Sequence, residues 1–386
     1  MKPELCATSN CALAQIRSGF TQVEIGARYH QNGLLIIGDA PMEGEARECL
    51  PMRPWGQGGS LLADALRDCN ISRAEVAITD ILRCRPPKDY LNGAPYAANA
   101  TAHCVQNYLY GVISELKPRA ILTLGELAYR SIVAAPKGKY GTLDYARGYV
   151  CRGEAAADGV KIIPTYHPAF IRRGAAHLTP LLQRDLRRAF LLATGRIVEG
   201  VHYSLDGGGI GLGYQMNPTI DDAWEFARNV DPALPLVFDI ETPMSTRSDE
   251  DDRTSFTDRD IKLFQCTQHR GSGIALPYRD EYVSVIKQIF KVSTCRVGFN
   301  NWNFDDPVLA ANGIDVGKTD DAMVMFGTYW SELPKNLQAA TQMCGFPFAW
   351  KHYNESDLAF YGICDVDATL CVYEHMTKVL KGEEVA

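Results

Sequence analysis

Four glycines crowd into Asp206-Gly207-Gly208-Gly209-Ile210-Gly211. A stretch with so little side chain has no face to bury and behaves as a joint. It divides the chain into two halves, each alternating short apolar runs with segments of helical spacing. At 386 residues the chain exceeds one ordinary core. The reading is therefore two domains, residues 1–197 and 214–386, with a Gly-rich linker at 198–213.

In the first half, strands are expected at Leu34–Gly38, Val76–Leu82, Arg119–Leu124 and Val160–Pro164. Helices are expected at Ser60–Cys69, Thr101–Leu116, Glu126–Val133 and Leu178–Ala193, with a loop rich in Gly, Pro and acids from Asp39 to Gly59. In the second half, strands are expected at Leu234–Ile240, Ile261–Thr267, Ser272–Leu276 and Cys295–Phe299, the middle two as a hairpin. Its helices are expected at Thr219–Asn229, Tyr282–Phe290, Asp306–Asn312, Asn336–Met343 and Ser356–Leu380. Strands alternating with helices imply an α/β fold with mostly parallel sheets covered on both faces.

One strand carries chemistry. In Leu236-Val237-Phe238-Asp239-Ile240-Glu241-Thr242, the period of two puts Asp239 and Glu241 on one face and Phe238 and Ile240 on the other. Adjacent carboxylates repel, and a hard divalent cation with oxygen ligands is the usual remedy; a solvated strand edge is the alternative. Asp305 follows in Val297-Gly298-Phe299-Asn300-Asn301-Trp302-Asn303-Phe304-Asp305, where a strand passes into a helix. Trp302 and Phe304 read as core residues. Asp365 stands four residues after Tyr361, so phenol and carboxylate share one helix face. Taken singly, Asp305 also suits a helix N-cap and Asp365 an exposed acid.

The hydrophobic fraction of 46% and charged fraction of 22% describe a globular chain, and no apolar run reaches bilayer length. The start, Met1-Lys2-Pro3-Glu4-Leu5-Cys6, has no signal-peptide core, so a cytoplasmic location without membrane contact is expected. A net charge of −7 argues against a generally sticky nucleic-acid binder but leaves room for local basic clusters. Twelve cysteines in such a setting point to buried thiols and a metal or cluster site rather than disulfides. Cys6 and Cys11 form one pair and Cys84 and Cys104 another, a set that suits structural Zn²⁺ or a 4Fe–4S cluster alike.

The ordered pieces Asp239-Ile240-Glu241, Asn300 to Asp305 and Tyr361-Gly362-Ile363-Cys364-Asp365 resemble the Tyr-containing branch of the DEDD superfamily of 3′→5′ exonucleases, over about Tyr214 to Val379. That resemblance implies an RNase H-like fold and proofreading-type hydrolysis with two Mg²⁺ or Mn²⁺ ions. Asp239 would bridge both ions, with Glu241 and Asp365 on one and Asp305 on the other through water. Tyr361 would orient the attacking water, and Asn300 would hold loop geometry or contact the strand end. The chain stops soon after the third motif, which suggests service to a separately made DNA polymerase, as in a bacteriophage.

The first half carries Ile37-Gly38-Asp39-Ala40-Pro41, Arg53-Pro54-Trp55-Gly56, Ile78-Thr79-Asp80-Ile81-Leu82-Arg83-Cys84-Arg85-Pro86-Pro87, Leu122-Thr123-Leu124-Gly125 and Pro164-Thr165-Tyr166-His167-Pro168 in order. Over about Cys6 to Ala193 this resembles the family-4 uracil-DNA glycosylases. The resemblance implies a 4Fe–4S cluster on Cys6, Cys11, Cys84 and Cys104, and a base pocket at Asp39, Met42, Trp55, Asp80 and His167. Several positions depart from the family. Gly-Glu-Ala-Pro-Gly reads Gly38-Asp39-Ala40-Pro41-Met42, the stacking Phe is Trp55, the segment after it is one residue short, and the base-reading Asn is Asp80. Ionised Asp80 would offer uracil acceptors only. His167 remains to stabilise uracil O2. Arg83, Arg85, Arg172 and Arg173 are candidate phosphate contacts; Arg184, Arg187 and Arg188 read as surface charges.

The leading expectation is thus an exonuclease joined to a glycosylase-like DNA-binding domain. A repair enzyme with active uracil excision and a non-catalytic DNA-binding accessory factor are the alternatives.

Overall fold

The computed structural model describes residues 11–91, 93–133, 135, 138–196, 213–243 and 260–383. The chain divides into two compact units, Met1–Glu199 and Gly200–Ala386. Among the described residues, no helix is long and apolar enough to cross a membrane. Cys6 and all of the expected linker except Gly213 lie outside the described residues.

In the first unit, β1 (Glu24–Ile25), β2 (Leu34–Gly38), β3 (Val76–Asp80), β4 (Ala120–Leu124), β5 (Cys151–Arg152) and β6 (Lys161–Thr165) form one sheet of order β1-β3-β2-β4-β6-β5. Its four central strands run parallel and its two-residue edges run antiparallel. β2, β3 and β4 are buried at every position, as a sheet covered on both faces requires. One face packs on Leu109, Val112, Ile113, Tyr129 and Ile132. The expected β3 is two residues too long, because the Ile81 and Leu82 N–H groups turn back onto the Gly38 and Asp39 carbonyls. The helix expected at Thr101–Leu116 starts at Ala97 and contains a π-helical turn, Val105–Leu109. The expected loop at Asp39–Gly59 holds a helix, Glu43–Glu48.

In the second unit, β7 (Gly213–Gln215), β8 (Pro235–Glu241), β9 (Leu263–Thr267), β10 (Ser272–Pro277), β11 (Cys295–Gly298) and β12 (Asp320–Asp321) form a mixed sheet of order β12-β11-β8-β9-β10-β7. Gly213, read as the last linker residue, opens β7 and pairs with Ser272. β9 and β10 pair antiparallel, as the hairpin reading requires. Phe238, Phe264 and Phe290 meet edge to face and stacked, with ring centroids 5.2 to 6.5 Å apart, and anchor one face.

The long helix Leu358–Leu380 covers β8, β9 and β10. It lies close enough that two glycines are needed. A Cβ on Gly362 would collide with the Gln265 amide, and one on Gly273 would come within 2.7 Å of Ile363 Cγ2. Asp357 caps this helix through the Phe360 N–H at 3.0 Å.

Candidate functional sites

The strand period works on β8 as expected: Leu236, Val237, Phe238 and Ile240 are buried, while Asp239 and Glu241 are half-buried. The opposite register with β9 sets Gln265 beside Asp239. Asp365 descends from the long helix, and one ligand oxygen from each of Asp239, Glu241 and Asp365 lies within 4.8 Å of the others. Asp305 begins the helix Asp305–Ala311. Its carboxylate accepts the Ile240 N–H at 3.1 Å, so the backbone between the two strand acids anchors it.

Burial raises the pKa of Asp239 far above the carboxylate range, and the charges of Asp305, Glu241 and Asp365 add to the shift. Burial pushes Glu241 to about 8, with Asp365 as the next cause. Burial pushes Asp305 to about 7 against the Ile240 hydrogen bond. Crowded hard oxygen donors whose ionisation is this costly are the donor set a divalent cation relieves. Burial and the same acids raise the Tyr361 phenol well above its usual range, so it stays protonated.

Two partners here carried no sequence signal. The fully buried Trp350 donates its indole N–H to Asp365. Lys351 Nζ lies 2.9 and 2.8 Å from the two Asp365 oxygens and 2.9 Å from the Tyr361 oxygen. Lys351 stands ten positions before Tyr361 and outside its helix, in the short turn Lys351–Glu355, so no helical period links the two. Asn300, at φ 62°, gives its N–H to the Asp321 carboxylate at 2.9 Å, and its side-chain oxygen accepts from Asn303. Trp302, read as core, is 51% exposed, because its indole N–H turns out to the Thr319 carbonyl at 3.2 Å. Phe304 does pack against the apolar core.

The first unit gathers a second constellation. His167 caps the helix Pro168–Arg172 by accepting the Ala169 N–H on Nδ1 at 3.1 Å, which leaves Nε2 to carry the ring proton. Burial lowers its pKa to about 4, so the ring is neutral at pH 7. Gly125, at φ +98°, has no Cβ, and one there would sit 3.1 Å from both Asp39 and His167. Asp39 accepts the Ala128 N–H at 3.1 Å, and burial raises its pKa to about 7.

Asp80 is 1% exposed. Thr21 donates to one of its oxygens at 3.3 Å; the other has no hydrogen-bond partner. Burial, then Glu45, raise its pKa well above the usual range. A protonated Asp80 would donate and accept, as an amide does. Met52 lies beside the same place. It is buried at φ 47°, and a Cβ on Gly38 would lie 2.6 Å from its Cε and 2.7 Å from Asp80. Trp55 and Met42 are exposed, and the Arg53 guanidinium covers the Trp55 ring at 4.7 Å.

Cys11, Cys84 and Cys104 are buried and line one small pocket. Arg17 donates to the Cys84 sulfur at 3.6 Å, as suits a site gathering negative sulfur. Arg83 is buried, bonded to the Thr21 carbonyl at 3.0 Å and set over the Tyr108 ring at 4.8 Å. It therefore faces inward, not toward a phosphate. Arg85 is paired with Asp89 and Glu43, and Arg172 with Ser60 and Asp64. Arg173 is exposed. Arg188, read as a surface charge, is buried and donates to the Gly148 carbonyl at its site on the helix Thr179–Ala193.

A family profile described as the Uracil DNA glycosylase superfamily matches residues 28–191. The type-4 uracil-DNA glycosylase of Pyrobaculum aerophilum is 34% identical over 159 residues, covering 41% of this chain and 76% of that protein. Those of Sulfurisphaera tokodaii and Thermotoga maritima are 28% and 27% identical, covering 53% and 46% of this chain and 87% of each relative. Among solved structures, the Aedes aegypti Nibbler EXO domain aligns at TM-score 0.33 and 11% identity, covering 42% of this chain and 86% of that one. With its parallel sheet, its Asp39–Gly125–His167 grouping and a relative of 34% identity matched over most of its length, the chain belongs to the type-4 uracil-DNA glycosylase family.

Proposed function

We propose that the protein is a metal-dependent 3′→5′ DNA exonuclease of proofreading type, carried on a glycosylase-family DNA-binding unit. The observation that carries this reading is the convergence of Asp239, Glu241 and Asp365 within 4.8 Å, beside a protonated Tyr361. Asp239, Glu241, Asp365 and Asp305 would hold two Mg²⁺ or Mn²⁺ ions. When bound, such ions stabilise the charge on the attacking and leaving oxygens of a phosphodiester. The chain's own work is to hold and orient. Asp305 is fixed through Ile240, Asp365 is fixed by the Trp350 indole, and the Tyr361 phenol keeps a proton with which to orient the attacking water.

In the first unit Cys11, Cys84 and Cys104, with Cys6, would hold a 4Fe–4S cluster whose contribution is structural; structural Zn²⁺ is the alternative for the same donors. Arg85, Arg172 and Arg173, together with Asn300 at the acid site, are the proposed contacts to single-stranded or frayed DNA, and a separately made DNA polymerase is the proposed partner. The test is Mg²⁺-dependent shortening of a labelled strand with matched or mismatched 3′ ends. Asp239→Ala with Glu241→Ala is expected to abolish it; degradation by the double variant at the wild-type rate would reject the assignment. Co-purification with a polymerase, and stimulation by it, test the partner.

A second reading, uracil excision, has one observation in its favour. Neutral His167 retains an Nε2 proton to stabilise a departing uracil anion, beside Asp39. Uracil-containing single strands in EDTA separate the two. Abasic product that vanishes in His167→Ala would establish this activity.

A further inference from the structure

The acid site already contains a cation. Lys351 opens the short 3-10 turn Lys351–Glu355, directly after Trp350, whose buried indole is tied to Asp365. Its ammonium spans both Asp365 oxygens, at 2.9 and 2.8 Å, and reaches the Tyr361 oxygen at 2.9 Å. Those carboxylate oxygens belong to the group that converges with Asp239 and Glu241. A divalent ion held by Asp365 needs the same lone pairs, and two cations that close repel.

We propose that Lys351 is a built-in counter-ion of the acid cluster, which a divalent metal has to displace from Asp365 in order to load. The lysine keeps the acids together when no metal is bound and sets the metal concentration at which the site fills. The displacement has a route. The Lys351 side chain is 22% exposed and its four-carbon stem is flexible, so the ammonium can swing toward solvent. In its paired position it also rests 4.7 and 5.3 Å from the ring centroids of Tyr361 and Trp350. Displacement also frees the Tyr361 oxygen from Lys351. This inference rests on the acid cluster being a metal site.

The experiment compares the full-length wild type, Lys351→Gln, Lys351→Arg, and Asp239→Ala with Glu241→Ala. Mn²⁺ binding is followed by the loss of the free-ion electron paramagnetic resonance signal, and thermal melting is recorded with and without Mn²⁺. Lys351→Gln is expected to bind Mn²⁺ about tenfold more tightly, because the competing charge is gone. It should also melt lower than wild type without metal and level with it at saturating Mn²⁺. Lys351→Arg keeps the charge and is expected to bind no more tightly than wild type. Equal or weaker Mn²⁺ binding by Lys351→Gln overturns the proposal, as does a melting deficit unchanged by Mn²⁺, the mark of a merely structural lysine. If the double variant loses Mn²⁺ while Lys351→Gln matches wild type, only the lysine proposal fails. If neither wild type nor Lys351→Gln binds Mn²⁺, the exonuclease reading fails with it.

Discussion

Both units bury carboxylates at strand ends, but they treat them differently. In the second unit Asp239, Glu241 and Asp365 point at one another. In the first, Asp39 turns to the Ala128 N–H, while Asp80 meets Thr21 and the Met52 methyl region. Burial raises the pKa of acids in both units, and Glu45 and Asp39 add to the shift at Asp80. What sets the second unit apart is three carboxylates that each offer an oxygen to one point, where a cation can offset their charge. The lesson is that a buried acid signals a metal only when several aim at the same point. A strand residue's neighbour across the sheet matters less than what the next element brings down upon it.

The comparison can be attacked at four points. The largest expected effect is at Tyr361. Tyr361→Phe should lower kcat for 3′-end hydrolysis by about 10²–10³, the usual loss for one oriented hydrogen-bond donor, with Mn²⁺ binding retained; loss of binding as well would make the phenol structural. Next, Cys84→Ser or Cys104→Ser should bleach any absorbance near ~400 nm and destabilise the first unit. Mg²⁺-dependent degradation should persist in both variants, and its disappearance would mean that the two units do not work separately.

A smaller effect is expected in the base pocket. Met52→Gly removes the methionine methyl that lies beside Gly38 and Asp80, so with Asp80→Asn it should raise uracil excision in EDTA about tenfold or more over wild type, an amount typical of pocket reshaping. No change would show that the Met52 side chain does not block the base. The smallest effect concerns pH. Asp39 has its pKa raised in the folded state to about 7. Its contribution to stability is therefore full below its unfolded value near 4 and is lost as pH rises through 7. Asp39→Asn should leave melting unchanged at pH 4 and raise it at pH 8. Equal shifts at both would place the effect elsewhere.

How much of this was legible depends on distance along the chain. The pairing of Asp239 with Glu241, and of Tyr361 with Asp365, follows from the periods of strand and helix, and the observed elements carry both pairs. Strands β2, β4, β9 and β10 announce themselves as apolar runs. The two-residue edges β1, β5 and β12 are too short to have a period. Trp350 and Lys351 reach Asp365 from the start of a short turn outside the long helix, so only the folded chain reveals them. Met52 hides in the same way, because a left-handed methionine leaves no trace in the pattern. Arg83 reads as a candidate phosphate contact beside Cys84, yet it turns inward where Phe20 and Tyr108 offer ring faces.

The two glycines under the long helix have a consequence of their own. Gly362 receives Gln265 from the sheet, and Gly273 receives Ile363 from the helix. The two surfaces therefore fit like a key with one notch on each side. Such a key does not creep: sliding the helix by one residue would bring a side chain onto Gln265 and withdraw Ile363 from its seat. The position of Tyr361 and Asp365 over the strand acids is thus discrete rather than elastic. Small shifts of the helix would disturb both seats at once, whereas a side chain such as Lys351 can move without disturbing either.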